Sequence, residues 1–311
     1  MNNFFFILSF SRSGSTLLSK LLNNNKNIKV LNESWIFPIL SILRWERLNY
    51  NKQRYILHLY NESLKIYKHY TLISNNICER NNISFISFYK KMLNYNSNIV
   101  GEKNPVNTLH FSYLKKNIKN SKFIFLTRDP IAIANSYRNR WFKDADPNYF
   151  LFRVTTLIRT YFLSYQEYCH ENELITIKYE DLVKDPLVSL NTLCNHLGIN
   201  YDENMLADIN PFTFTASSAE SHKDLSKNIH MRNIDKYTSQ LSNEQIQSLS
   251  YLLRDVVSFF DYPSLHSKPS KLLLRIEKKV NNRLRFNRSF LKIYLLKIRY
   301  YLLYLKYTIT R

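Results

Sequence analysis

Three glycines stand in a chain of 311 residues, Gly14, Gly101 and Gly198. Where glycine is this scarce, each one marks a place where the backbone turns or is closely approached. Gly14 follows the apolar run Phe4 to Leu8 and opens Ser15 to Leu22, whose leucines recur at helical spacing; this reads as strand, tight loop, helix. Gly101 ends a short strand over 98–100, and Pro105 then forces Asn104 out of helical geometry. Gly198 closes a helix over Pro186 to Leu197, with proline near its start and glycine past its end. Ile28 to Leu31, Lys122 to Thr127 and Leu174 to Lys178 are further short apolar or β-branched runs, and a helix follows Asp129-Pro130 to about Phe142. Strands alternating with helices predict an α/β fold with a parallel sheet of about five strands flanked by helices.

No Pro/Gly/Ser linker divides the chain, so the expected organisation is one domain over 1–267 and a basic amphipathic helical tail over 268–311. With 45% apolar and 15% aromatic residues the chain buries a full core. Its net charge of +20 is unevenly spread, since residues 268–311 hold 13 basic side chains and one acid, Glu277. Cys78, Cys169 and Cys194 form no CxxC pair, which argues against a disulfide framework or structural zinc and for a reducing, cytoplasmic location. The opening MNNFFFILSF lacks a positive leader region and is too short to span a bilayer; it reads as a buried strand.

In parallel sheets ligands bind beyond the carboxyl ends of the strands. That rule selects Arg12, Ser13, Gly14, Ser15 and Thr16, then Glu33, Lys103, Arg128 and Tyr179. The loop SFSRSGST between a strand and a helix turns backbone N–H groups and a positive helix end toward one point, which suits phosphate or sulfate. Against the nucleotide-binding pattern GxxxxGK[ST], Ser9 replaces the first glycine and Ser15 the lysine. The lysine that reaches a γ-phosphate is missing, and the strand ending at Arg128-Asp129 is not an acid-only magnesium site, so ATP or GTP with magnesium is disfavoured.

SRSGSTLL, GEKNP, FIFLTRDPIAIANSYRNR and IKYEDLVKDPLVSLNTLCNHLGI, in this order, resemble the motifs of sulfotransferases that use 3′-phosphoadenosine 5′-phosphosulfate (PAPS). The resemblance extends from about residue 4 to 200 and implies a P-loop NTPase-like fold. It implies that Arg12, Ser13, Gly14, Ser15 and Thr16 hold the 5′-phosphosulfate. Arg12 would follow charge onto the bridging oxygen. Arg128 and Ser136 resemble the 3′-phosphate site, and Tyr179 matches an adenine-contacting tyrosine. Glu33 stands where tyrosylprotein sulfotransferases and related glycan sulfotransferases carry a catalytic glutamate, and is the expected base. Lys103 matches the lysine of the family's G-[DE]-K-x-P segment and would supply positive charge near the transferred group. No metal cofactor is expected, because a sulfuryl group carries less charge than a phosphoryl group and basic side chains with backbone donors suffice.

His58, His69 and His110 have no motif around them and read as packing or surface histidines. Lys223, Lys227 and Arg232 match loosely a basic segment that relatives place over the 3′-phosphate, and 35–95 is expected to shape the acceptor pocket. In the tail Lys271, Lys278, Arg285, Lys292, Arg299 and Lys306 recur every seven residues among Leu, Ile, Phe and Tyr. This stripe over 271–306 suits an anionic membrane surface, bound peripherally, as well as a helix docked on its own domain. Nucleic acid is not expected, since the basic residues alternate with aliphatic ones and no RNA or DNA motif accompanies them. The expected acceptor is a hydroxyl, of a glycan before a protein tyrosine or a lipid. Two other classes stay open: a P-loop kinase using ATP and magnesium, and a non-catalytic membrane-associated protein on a degenerate scaffold.

Overall fold

The computed structural model describes residues 3–33, 99–206, 233–265 and 268–287. Five strands form one wholly parallel sheet: β1 (Asn3–Ser9), β2 (Ile28–Asn32), β3 (Ile99–Lys103), β4 (Lys122–Thr127) and β5 (Leu174–Lys178), in the order β2-β3-β1-β4-β5. The period-two alternation of strands sends side chains of β1 to opposite faces. Phe4, Phe6 and Leu8 join one buried cluster, Phe5 and Ile7 the other.

Helices cover both faces, as an all-parallel sheet requires. α1 (Ser15–Asn23) follows β1, and its leucines pack on the Phe5 face. After β3, a 3-10 turn over Pro105–His110 leads into α2 (Phe111–Asn117). β4 is followed by α3 (Pro130–Trp141), which starts where the Asp129 carboxylate accepts from the Ile131 N–H, and then by the long α4 (Pro147–Gln166). α5 (Tyr179–Lys184) and α6 (Pro186–Leu197) follow β5, and Gly198 ends α6 in the left-handed conformation. α7 (Asn243–Leu252), opened by a Ser242/Gln245 capping box, precedes α8 (Arg254–Phe259) and α9 (Lys271–Asn287).

One expectation changes. β3 runs through Gly101 to Lys103 instead of ending at Val100, because Gly101 pairs with Phe5 of β1 and a Cβ there would lie 2.3 Å from that ring. The glycine makes room for an aromatic ring inside the sheet; the strand break comes at Asn104-Pro105. Directly after β5, Tyr179-Glu180-Asp181 begin the short helix α5.

α9 lies against α4. Leu273, Ile276, Val280 and Leu284, spaced at helical period, are buried with Phe162 and the rest of the larger cluster. Polar contacts fix the register: Arg159 of α4 donates to Asn281 at 3.0 Å and pairs with Asp255 at 3.0 Å, and Glu277 accepts from Tyr251 at 2.7 Å and Arg254 at 2.6 Å. Among the described residues no helix is long and apolar enough to cross a membrane. Positions 292, 299 and 306 of the basic stripe lie outside the described residues.

Candidate active site

β1 ends at Ser9, and the chain must turn at once to enter α1. The turn is tight: Ser13 N–H and Oγ both donate to the Phe10 carbonyl, at 3.3 and 2.8 Å. Two residues take the left-handed region, Arg12 at φ 74° and Gly14 at φ 90°. For Arg12 that conformation is strained, and it persists because the surrounding contacts hold it. Thr108 anchors the loop from behind: its hydroxyl accepts from the Ser9 N–H and donates to the Ser9 carbonyl, each at 3.0 Å. The Thr108 carbonyl in turn accepts from Ser164 and Tyr168 of the region around α4.

Tyr179 is buried directly over Gly14. A Cβ on Gly14 would meet the Tyr179 ring at 2.4 Å, so the close approach requires glycine independently of its φ. The Arg128 guanidinium also lies over that ring, 4.5 Å from the centroid. Arg128 also donates to the carbonyls of Arg12, at 3.4 Å, and Asn233, at 2.5 Å. Its Nε is buried with no hydrogen-bond partner among the described residues. Buried donors are normally satisfied, so this N–H is a place where a ligand acceptor fits.

Arg12 points the other way along the same edge. Its Nε donates to Ser136 Oγ on α3 at 3.1 Å, and its guanidinium lies 5.7 Å from the centre of the Trp141 ring. Burial pulls its pKa below the ordinary value, opposed by Tyr137 and reinforced by the nearby cations Arg140 and Arg128; an arginine stays charged at neutral pH all the same. The sequence grouped Ser136 with Arg128, whereas in the structure its hydroxyl meets Arg12, and Arg128 reaches the backbone of Arg12. Arg12 thus lies between the two.

The far side of the loop holds the other two candidates. Lys103, at the end of β3 and 3% exposed, forms an ion pair of 2.7 Å with Glu33, which is 48% exposed just after β2. The Glu33 N–H donates to the Lys103 carbonyl at 2.7 Å, and Glu33 has φ 50°, so backbone and side chain both clamp the pair. Neighbouring strand ends place it, since Asn32 is in register with Lys103.

Four further residues border this edge without having stood out in the sequence. Ser11 donates to Tyr161 of α4 at 3.4 Å, and burial raises the pKa of both Tyr161 and Tyr137. Both phenols therefore stay protonated and neutral. Trp141, at the last turn of α3, is 55% exposed, with its ring 5.2 Å from Tyr137. Ser11 lay inside a recognisable loop, but Tyr161 is 150 positions away and Trp141 follows a motif without belonging to it. Behind the site, buried Glu180 accepts from the Asp129 N–H at 3.0 Å and from Tyr262 at 2.9 Å, tying α5 to the turn after β4. His110 closes the 3-10 turn, and burial lowers its pKa to about 4. Lys223, Lys227 and Arg232, His58, His69 and the expected pocket region 35–95 lie outside the described residues. Among the described residues no group of three or more His, Cys, Asp or Glu is arranged to hold a metal.

A parallel sheet with a glycine-containing loop and two arginines at the carboxyl edge of its central strands defines an α/β protein whose ligand edge suits an anion. A model of the sulfotransferase family matches residues 5–203, and the chain belongs to that family. Among solved structures, the fold is shared with a sulfotransferase domain from the curacin biosynthetic pathway: TM-score 0.60, 19% identity, over 85% of this chain and 99% of that one. It is shared equally with a sulfotransferase domain of the olefin synthase of Synechococcus PCC 7002: TM-score 0.56, 19% identity, over 85% of this chain and 98% of that one. Comparison with curated protein sequences returns no match.

Proposed function

We propose that this sulfotransferase moves the sulfuryl group of PAPS to an acceptor hydroxyl, the work being done by the domain over 1–267. The observation that carries the reading is the cluster at the β1 and β4 ends: Gly14 beneath Tyr179, Tyr179 beneath Arg128, and a buried Arg128 Nε with a free donor direction. An arginine with a donor to spare, set beside the loop that opens α1, suits the anionic groups of such a nucleotide.

Arg128 and Ser136 would hold the 3′-phosphate, Tyr179 would contact the adenine, and Ser13, Gly14, Ser15 and Thr16 would cradle the 5′-phosphosulfate with backbone N–H groups at the start of α1. PAPS supplies an activated sulfuryl group and a phosphate leaving group. Arg12, already bonded to Ser136, directs positive charge at the oxygen that gains charge as the S–O bond breaks. The acceptor oxygen forms its bond to sulfur in line with that breaking bond. Glu33 takes the acceptor proton, and the Lys103 ammonium, 2.7 Å from the carboxylate, holds the base in place and adds positive charge. These groups perform the transfer without a metal.

The acceptor hydroxyl belongs to a glycan in this reading. Support comes from Trp141, an exposed indole beside Arg12 that suits the apolar face of a sugar ring. The cellular setting is cytoplasmic, with an anionic membrane surface as a peripheral partner for the basic tail over 268–311, through 271–306.

Calorimetric titration with 3′-phosphoadenosine 5′-phosphate, beside ATP plus magnesium, tests the nucleotide assignment. The bisphosphate is expected to bind, and Arg128→Ala to weaken it by about tenfold or more, the loss of one charge-assisted contact. Preference for ATP with magnesium would make the chain a kinase; binding of neither would leave a scaffold without this chemistry.

A further inference from the structure

The apolar face of α9 is spent on its own domain. Leu273, Ile276, Val280 and Leu284 are buried against α4, so residues 271–287 cannot lay that face into lipid as an interfacial amphipathic helix does. What remains outward is mostly positive charge. Lys271, Arg275, Lys278, Lys279, Arg283 and Arg285 are all exposed, and at 3.6 residues per turn they share an arc of roughly 160°. The helix's one acid, Glu277, is turned inward to Tyr251 and Arg254 and neutralises none of them. At the first turn Leu272 and Leu274, each 48% exposed, lie within the basic arc and beside it.

We propose that this outward face of α9 is a docking surface for an anionic bilayer, held by charge with the helix axis lying on the headgroups and the apolar face left in the protein core. This deepens the membrane reading above and rests on it, while being independent of the sulfotransfer chemistry. A helix face with six exposed cations is complementary to a surface of anionic headgroups, and each basic residue near such a surface contributes about fivefold in affinity. These exposed leucines suit the boundary between headgroups and acyl chains, an environment that a nucleic acid does not offer. Binding of this kind falls steeply with salt.

The full chain is to be sedimented with phosphatidylcholine vesicles, with and without phosphatidylglycerol, at low and high salt. The expected result is binding to the anionic vesicles alone, weakened by salt, and reduced on the order of a hundredfold by Lys271→Gln/Lys278→Gln/Lys279→Gln. The triple variant Lys116→Gln/Lys119→Gln/Lys184→Gln, on exposed lysines elsewhere, removes the same net charge and is expected to bind almost as wild type. Melting temperature and nucleotide affinity should be unchanged in both, which separates lost docking from lost folding. Wild type that ignores anionic vesicles overturns the membrane reading and this inference together. Binding that the α9 variant leaves intact, or that both variants reduce equally, overturns the inference alone. A duplex DNA competing at charge equivalence, with the same dependence on α9, would make the face a nucleic-acid surface instead.

Discussion

Glu33 and Lys103 show how much a single residue's surroundings decide. The ammonium is almost wholly buried and its described counter-charge is one carboxylate, so removing that charge both takes away a proton acceptor and strands a cation. Glu33→Gln keeps the shape and an acceptor oxygen. It is expected to lower turnover of PAPS by about 10²- to 10⁴-fold, the usual range for a lost general base, with affinity for 3′-phosphoadenosine 5′-phosphate within about twofold of wild type. Single-turnover kinetics beside calorimetry separate the two quantities; unchanged turnover would reduce Glu33 to a clamp on Lys103. Both residues were legible in the sequence because each ends a strand, and strand ends face the ligand edge. The contacts of Ser136 were not, since which arginine its hydroxyl meets depends on how α3 is rolled against the loop. Tyr161 left no sequence signal at all, because its neighbour Ser11 comes close only when the sheet and α4 are assembled.

At the scale of elements, short apolar or β-branched runs located β1, β2, β4 and β5, and the punctuation by Gly101 and Pro105 located β3. Such a run does not say which strands are neighbours, so the order of the sheet came from the structure. Gly101 was misplaced for a related reason: glycine marks turns and close approaches alike, and only the Phe5 ring on the adjoining strand distinguishes them. Gly101→Ala should therefore overpack the interior of the sheet and cost about 1–3 kcal/mol in denaturant unfolding, an amount that a strand-end glycine with open space would not show. The 3-10 turn after β3 carries its own pH signature. His110 has a folded pKa of about 4, below the ordinary value of 6.5, so the unfolded chain binds the proton more readily. Its contribution is fully present above about pH 6.5 and is lost as pH falls toward 4, by up to about 3 kcal/mol. Chemical unfolding across that range should show the slope in wild type and a flatter one in His110→Gln.

Across the whole molecule, charge is segregated in sequence and in space. Residues 268–311 hold 12 of the net +20 charges, and the described part of that segment is a helix with its apolar side in the core. A basic heptad stripe reads equally as a membrane helix or a docked one, because periodicity reports a two-sided helix without saying what each side meets. Removing residues 271–311 exposes the α4 surface now covered by Leu273, Ile276, Val280 and Leu284. Each buried aliphatic side chain is worth roughly 1.5–3 kcal/mol. The shortened chain should melt at least about 5 °C lower in calorimetry and self-associate, whereas an independent tail would come away with no change in melting.

The position of β1 has a consequence for the making of the protein. It is the middle strand of five, yet its partners begin at Ile99 and Lys122, so its first pairing closes 96 residues of chain. During synthesis α1 follows at once and can cover the Phe5 face, but the hydrogen-bonding edges of Phe4–Leu8 have no partner strand and the Phe4, Phe6 and Leu8 face lacks α4 until much more chain is made. Long-range parallel pairing is slow to form. The strand that leads into the loop before α1 is thus open to association with other nascent chains until its partner strands have been made.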